Sequence, residues 1–323
     1  MSERSREIPV CDAPPAVVCF VYRRPVHADR MFESLAKNSL NQVSEIIVYC
    51  DGPRTTADID PVSTTREVVA KWSQVLGLKV IHRETNLGLE GSVLRGLDEA
   101  FARHPSVIVI EEDLVVSSVF LDYMVSGLRA YRWNHKVASI HGWVMPTHLK
   151  LPRTFFLRGA DCWGWSTWKD RWVGFERDPV KLQSTLGGKE KWRFNFGWTD
   201  RYTNMLDDRV EGRNDSWAIL WYASAFLKRQ LTLYPGKSLV SNVGNDGSGS
   251  HAISTTKFDT KVHDKIPRLP FRVKESLRGR IAFTVFLRGR KSGPLLSIAC
   301  SAFRKIRAVR KVLDFRFVAQ FWR

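Results

Sequence analysis

The sequence lacks the short signatures that mark the common nucleotide-binding classes. No Gly-x-Gly-x-x-Gly follows the first apolar run and no Walker-type Gly-x-x-x-x-Gly-Lys-Ser/Thr occurs, which argues against a dinucleotide-binding Rossmann domain and against a P-loop. The five cysteines, at positions 11, 19, 50, 162 and 300, show no Cys-x-x-Cys spacing and leave one unmatched, so neither a zinc site nor a disulfide framework is expected and reduced, cytoplasmic thiols fit. No run of 18 apolar residues exists. The greasiest late stretch, 281–303, is broken by Arg288, Arg290 and Lys291, so no spanning helix is expected. Residues 1–15 are polar and lack an apolar core, which predicts a flexible leader and no secretory signal. Acid is scarce at the other end: after His251 there are 18 Lys/Arg against 4 Asp/Glu, so most of the net charge of +17 lies in one tail. That asymmetry predicts a basic extension, 256–323, on a nearly neutral domain, 16–255.

What is present is a chain of 323 residues, 44% hydrophobic and 26% charged, long enough for a sizeable core. Its centre of gravity is Val107-Ile108-Val109-Ile110-Glu111-Glu112-Asp113-Leu114. Four β-branched residues read as a buried parallel strand, and strand ends are where open α/β sheets hold their ligands. Three adjacent acids repel one another and lose solvation unless a cation or a donor-rich ligand sits among them. Hard carboxylate oxygens suit Mn²⁺ or Mg²⁺, ions that commonly arrive with phosphates. The bland alternative is a solvated turn ahead of a helix at 119–134 that Ser117 or Ser118 caps.

Ahead of this strand, apolar runs at 16–22, 46–49 and 79–82 read as strands. Helices are expected from Pro25 to Lys37, from Thr64 to Leu76, and from Asn86-Leu87-Gly88 through Phe101. Four such alternations predict an α/β fold with a mainly parallel central sheet flanked by helices, and gather Arg24, Asp51, Asn86 and Asp113 along one edge. Beyond it, strands are expected at 137–142, 155–158 and 231–234. The run Cys162 to Trp172 carries tryptophans that are either core or a platform for a sugar ring. Asp215 is placed to cap the apolar helix 218–227. The glycine-bearing loop 242–251 reads as a segment that closes on ligand, with His251 at its end within reach of a metal or phosphate.

Taken together, Arg24-Pro25, Asp51-Gly52, Asn86-Leu87-Gly88, Glu111-Glu112-Asp113-Leu114 with Phe120-Leu121-Asp122-Tyr123, and Trp163-Gly164-Trp165 resemble a GT-A fold glycosyltransferase. The acid segment is most similar to that of the N-acetylglucosaminyltransferase I type and its bacterial family 2-like relatives. The resemblance covers roughly residues 16–251 and implies a nucleotide-sugar donor, UDP-linked, a glycan or lipid-linked acceptor, and Mn²⁺ (or Mg²⁺). It implies that Arg24, Asp51, Glu111, Glu112 and Trp165 line the donor site, that Asp113, with His251, binds the metal, and that Asp215 is the catalytic base of an inverting transfer. Glu112 departs from the family's usual Asp by one methylene. A nucleotidyltransferase is the alternative enzyme, though no glycine-rich basic loop follows the first strand. The alternating basic and apolar tail points to an anionic membrane surface as partner. Nucleic acid is not the expected partner, because the surplus charge sits in one tail without a recognised module.

Overall fold

The computed structural model describes residues 13–197, 201–249 and 254–289. Six consecutive buried residues make Ala16–Val21 the first strand, β1, covered on both faces. Pro25 opens α1 (Pro25–Ala36), which turns Met31, Phe32 and Leu35 inward. There follow β2 (Ile46–Cys50), α2 (Ile59–Leu76), β3 (Lys79–His82), α3 (Gly88–Arg103) and β4 (Ser106–Glu111). The start expected at Thr64 lies inside α2. A capping box at Thr55 and Asp58 begins the helical segment earlier, with Asp58 accepting from the Thr55 amide and hydroxyl at 2.9 and 2.8 Å.

The acidic stretch does not run on as one strand. β4 stops at Glu111, the chain turns at Glu112-Asp113, and β5 (Leu114–Val116) leaves to pair antiparallel with β10 (Val240–Asn242). α4 (Phe120–Tyr131) then starts from Val119 without a side-chain cap; neither Ser117 nor Ser118 serves as its N-cap. The remaining elements are β6 (Val137–His141), β7 (Thr154–Arg158), β8 (Trp165–Trp168), α5 (Lys169–Val173), α6 (Pro179–Thr185), α7 (Gly188–Phe194), α8 (Arg201–Val210), α9 (Trp217–Leu227), β9 (Leu231–Pro235) and α10 (Leu277–Gly289).

Eight strands form one sheet in the order β3-β2-β1-β4-β8-β6-β9-β7. The half β3-β2-β1-β4 is entirely parallel, while β8 runs antiparallel to both β4 and β6, and β7 antiparallel to β9. The fold class is therefore the expected α/β one, with its parallel part confined largely to the first half of the chain. Trp165 sits at the start of β8, fully buried, with ring centroids 5.6 Å from Trp221, 5.8 Å from Trp217 and 6.1 Å from Trp172. That placement corrects the expected donor contact of Trp165: its ring is core between the sheet and α9, and no face of it is open to a ligand. Trp165→Ala is expected to cost about 3–5 kcal/mol of stability, read as a lowered urea midpoint with little change of slope.

α9 is capped by Ser216, whose hydroxyl accepts from the Ile219 amide, and not by Asp215, which is exposed one residue earlier. α10 lays Phe283 against Tyr234 and Phe155, at 5.3 and 6.4 Å, and buries Leu287. The first part of the basic extension is thus packed on the sheet, while 290–323 and the leader to residue 12 lie outside the described residues. Among the described residues no helix is long and apolar enough to cross a membrane.

Candidate active site

Parallel register brings the ends of β1, β2 and β4 level: Phe20 stands beside Glu111 on one side and Tyr49 on the other. What each strand carries just past its end therefore meets in one crevice. From β1 comes Arg24, at the N-terminus of α1, donating Nε to Glu112 at 2.6 Å and Nη2 to Asp113 Oδ2 at 2.9 Å. Burial alone would lower the Arg24 pKa, but the two carboxylates more than offset it and the guanidinium stays charged. Glu112 is 6% exposed, and its second oxygen accepts from the Tyr22 amide at 2.7 Å.

Both oxygens of Glu112 are thus taken by protein donors, which corrects its expected ribose-facing placement. It turns inward and fixes Arg24, and the longer glutamate arm spans that gap. Arg24 in turn is engaged by carboxylates in this structure, so it positions Asp113 where the resemblance implied a direct hold on the nucleotide.

From β2 comes Asp51, buried, accepting from the Leu87 amide at 3.0 Å and the Gly52 amide at 3.1 Å. Burial raises its pKa against those amides. Asn86 closes the same turn by donating to Gly52 O at 2.9 Å, and a Cβ at Gly52 would lie 2.6 Å from the Glu84 carbonyl, so only glycine fits there. The structure thus brings Asp51 and Asn86 together, as it does Arg24 and Asp113.

Glu111, partly exposed at the end of β4, is pushed up to about 8 by burial and by the neighbouring charge of Asp113. Two carboxylates and the raised Glu111 surround one guanidinium, and a cation placed among them would favour the charged form of all three acids. Arg24 engages Asp113 through Oδ2 alone. Hard oxygens held this way suit a divalent ion, and Asp113 and Glu111 are the residues that would hold one. Among the described residues no group of three His, Cys, Asp or Glu is gathered to hold an ion. The rest of the shell would then come from phosphate and water, as is common for Mg²⁺. His251, the other expected ligand, lies outside the described residues.

The loop 242–251 and the run from Cys162 were marked in the sequence, but the contacts they make in this crevice, and His27, carried no signal there. Val243 donates its amide to the Asp113 carbonyl at 2.8 Å, and a Cβ on Gly244 would fall on the Asp113 carboxylate and close to the Arg24 guanidinium. The glycine-bearing loop is therefore pinned over the acids at its first residues. His27 of α1 faces the Val243 carbonyl at 3.3 Å and Asp246 at 3.2 Å. On the opposite wall, burial raises the Cys162 thiol, and the charges of Glu111, Asp161 and Asp113 raise it further, which sets the Asp161-Cys162 turn beside the acid triplet. Cys19, Cys50 and Cys162 are free thiols, and burial raises the pKa of each.

His141 braces that wall. Its Nε2 accepts from the Trp163 amide at 3.0 Å while Nδ1 faces the Trp143 carbonyl at 2.8 Å, an arrangement that only the neutral Nδ1–H tautomer satisfies. Burial lowers its pKa accordingly. Since the unfolded chain takes up this proton first, stability is expected to be full above the ordinary histidine range and to fall as pH drops below about 6.5, by up to about 1.4 kcal/mol per pH unit. Urea titrations at stepped pH check it, with His141→Gln flattening the slope.

Asp215 lies at the N-terminal end of α9, whose Trp217 packs on Trp165 of β8, and Arg209 of the preceding helix pairs with Glu90 in the first turn of α3. These contacts bring the preceding helix to the first turn of α3.

No family model matches the chain, and no curated protein matches it by sequence. Solved structures do. GalNAc-T7 with UDP, GalNAc and Mn²⁺ is similar over 72% of this chain and 44% of its own, at 10% identity and a TM-score of 0.47. TarS 1-349 of S. aureus is similar over 69% of this chain and 60% of its own, at 14% identity and a TM-score of 0.38. The mannosyltransferase PcManGT from Pyrobaculum calidifontis, in complex with GDP-Man and Mn²⁺, is similar over 67% of this chain and 70% of its own, at 12% identity and a TM-score of 0.36. The chain thus spans less than two thirds of the length of the first two.

Proposed function

We propose that this chain is a GT-A type glycosyltransferase that moves a sugar from a nucleotide-diphosphate donor, UDP-linked, to a hydroxyl of a glycan or lipid-linked acceptor with inversion. The observation that carries this reading is the acid triplet at the carboxyl end of the parallel half-sheet, with more carboxylate than one arginine neutralises. Asp113, with Glu111 beside it, would hold a Mn²⁺ or Mg²⁺ ion, which when bound neutralises charge growing on the departing diphosphate. Asp51 and the Leu87 turn form the crevice edge that takes the base. Arg24 and Glu112 keep Asp113 in place. Asp215 supplies an exposed carboxylate to take the proton of the acceptor hydroxyl. Attack from the face opposite the leaving group then inverts the anomeric centre.

Calorimetry of UDP and GDP, each with and without Mn²⁺, tests the reading. The expected result is UDP binding that manganese strengthens and GDP binding that is weaker. Equal, metal-independent affinity for both would remove the donor assignment. A nucleotidyltransferase would instead release pyrophosphate from a nucleoside triphosphate and a sugar phosphate, and release of UDP from a UDP-sugar separates the two.

A further inference from the structure

Ahead of α10, from Arg268 to Ser276, the chain runs along the outer edge of the sheet, beside β7. Its backbone is held there at three points: Thr154 donates to the Arg268 carbonyl at 2.5 Å, Tyr131 to the Pro270 carbonyl at 2.7 Å, and the Ser276 amide to the Phe156 carbonyl at 2.8 Å. Leu269 and Val273 turn inward onto the core. Between them Phe271 is 101% exposed, as accessible as in an unfolded chain, and Ile266 is 51% exposed. A pinned backbone that presents a whole phenyl ring to solvent gains nothing from that ring in folding. Isolated surface apolar residues are ordinary, but this one has a particular setting.

The setting is charge of one sign. From Lys265 to Ile281 the chain carries six Lys/Arg and one acid. The acid, Glu275, is already paired with Arg193 and Arg280. Lys265, Arg268, Arg272, Lys274 and Arg278 are exposed, and none forms an ion pair with the described residues. The same segment passes into α10, which buries Phe283 and Leu287 and exposes Leu277 and Ile281 one turn apart. Exposed apolar groups therefore alternate with unneutralised cations along one anchored segment.

We infer that this segment docks the protein on an anionic lipid surface, with Phe271 entering the headgroup layer and Arg268, Arg272 and Lys274 meeting lipid phosphates. A phenyl ring gains by leaving water for the headgroup–acyl boundary, as the apolar residues of interfacial segments do. Each basic residue near an anionic bilayer contributes about fivefold in affinity. Nucleic acid would use the same charges but gives an exposed, unstacked Ile266 and Leu277 no role, so the lipid surface is the better complement. The inference does not rest on the proposed transferase activity, since docking needs neither donor nor acceptor.

The test is co-sedimentation of the full chain, without any sugar nucleotide, on vesicles of phosphatidylcholine alone and of equal parts phosphatidylcholine and phosphatidylglycerol. Binding is expected on the anionic vesicles only, weakening as salt rises. Phe271→Ser is expected to weaken it roughly tenfold, and the double change Arg272→Gln with Lys274→Gln about 25-fold. Near-ultraviolet circular dichroism and thermal midpoint, unchanged in these exposed variants, show that the fold is kept. Native-like vesicle binding by both variants would assign any lipid affinity to residues beyond 289 and overturn the inference. Equal binding to neutral vesicles, or capture by single-stranded RNA without vesicle binding, would overturn it as well.

Discussion

Asp113→Ala is expected to abolish the manganese-dependent part of UDP binding and to lower sugar transfer roughly a thousandfold. The geometry explains the size. Asp113 stands at the turn between β4 and β5, held on one side by the Arg24 guanidinium at 2.9 Å and on the other by the Val243 amide on its carbonyl. Removing its carboxylate leaves Glu111, pushed up to about 8 partly by the very charge that has gone, and Glu112, whose oxygens are both engaged inside the protein. Of the two proposed ligands only Glu111 remains, too few protein oxygens to keep the ion in place. Arg24 loses one of its two partners but keeps Glu112, so the variant is expected to fold. Calorimetry with and without Mn²⁺, alongside release of UDP under saturating donor, reads both effects; metal-enhanced UDP binding that persists in the variant would reassign the ligand.

Asp215→Ala is expected to leave UDP affinity within about twofold of native while lowering turnover by roughly 10²–10⁴-fold, the range for losing a general base. Its neighbour Ser216, not Asp215, caps α9, so the substitution removes no helix cap. Asp208→Ala is the matched control: that carboxylate is exposed and pairs with Arg213, a surface pair worth little. Turnover equal to native in Asp215→Ala would remove it as the base and direct attention to Asp161, the carboxylate beside Cys162 on the opposite wall.

β1, β2 and β4 were legible because each is an apolar run rich in β-branched residues and buried on both faces, and the half-exposed edge strand β3 because Val80-Ile81 stands between turn residues. The same periodicity placed Arg24 beside Asp113 and Asp51 beside Asn86 without reference to chemistry. β8 was not legible. Trp165-Ser166-Thr167-Trp168 lacks a β-branched run, and its partner on β4 lies far back in the chain. Since the pattern of aromatics does not distinguish core from ligand platform, Trp165 was read outward when its ring faces three other tryptophans.

The acid triplet shows the same limit at finer scale. Its presence was plain, but which acid faces the crevice depends on where β4 stops and on the Tyr22 amide, a contact between residues far apart in sequence. Gly244 is a third case: nothing nearby in the sequence marks a glycine that must pass over a carboxylate.

The most direct measurement is anomalous diffraction from crystals grown with Mn²⁺ and uridine diphosphate. The account predicts a manganese peak within coordination distance of an Asp113 oxygen and of both phosphates of the nucleotide. Nucleotide bound elsewhere, or a crevice with neither metal nor diphosphate at saturating concentrations, would contradict it.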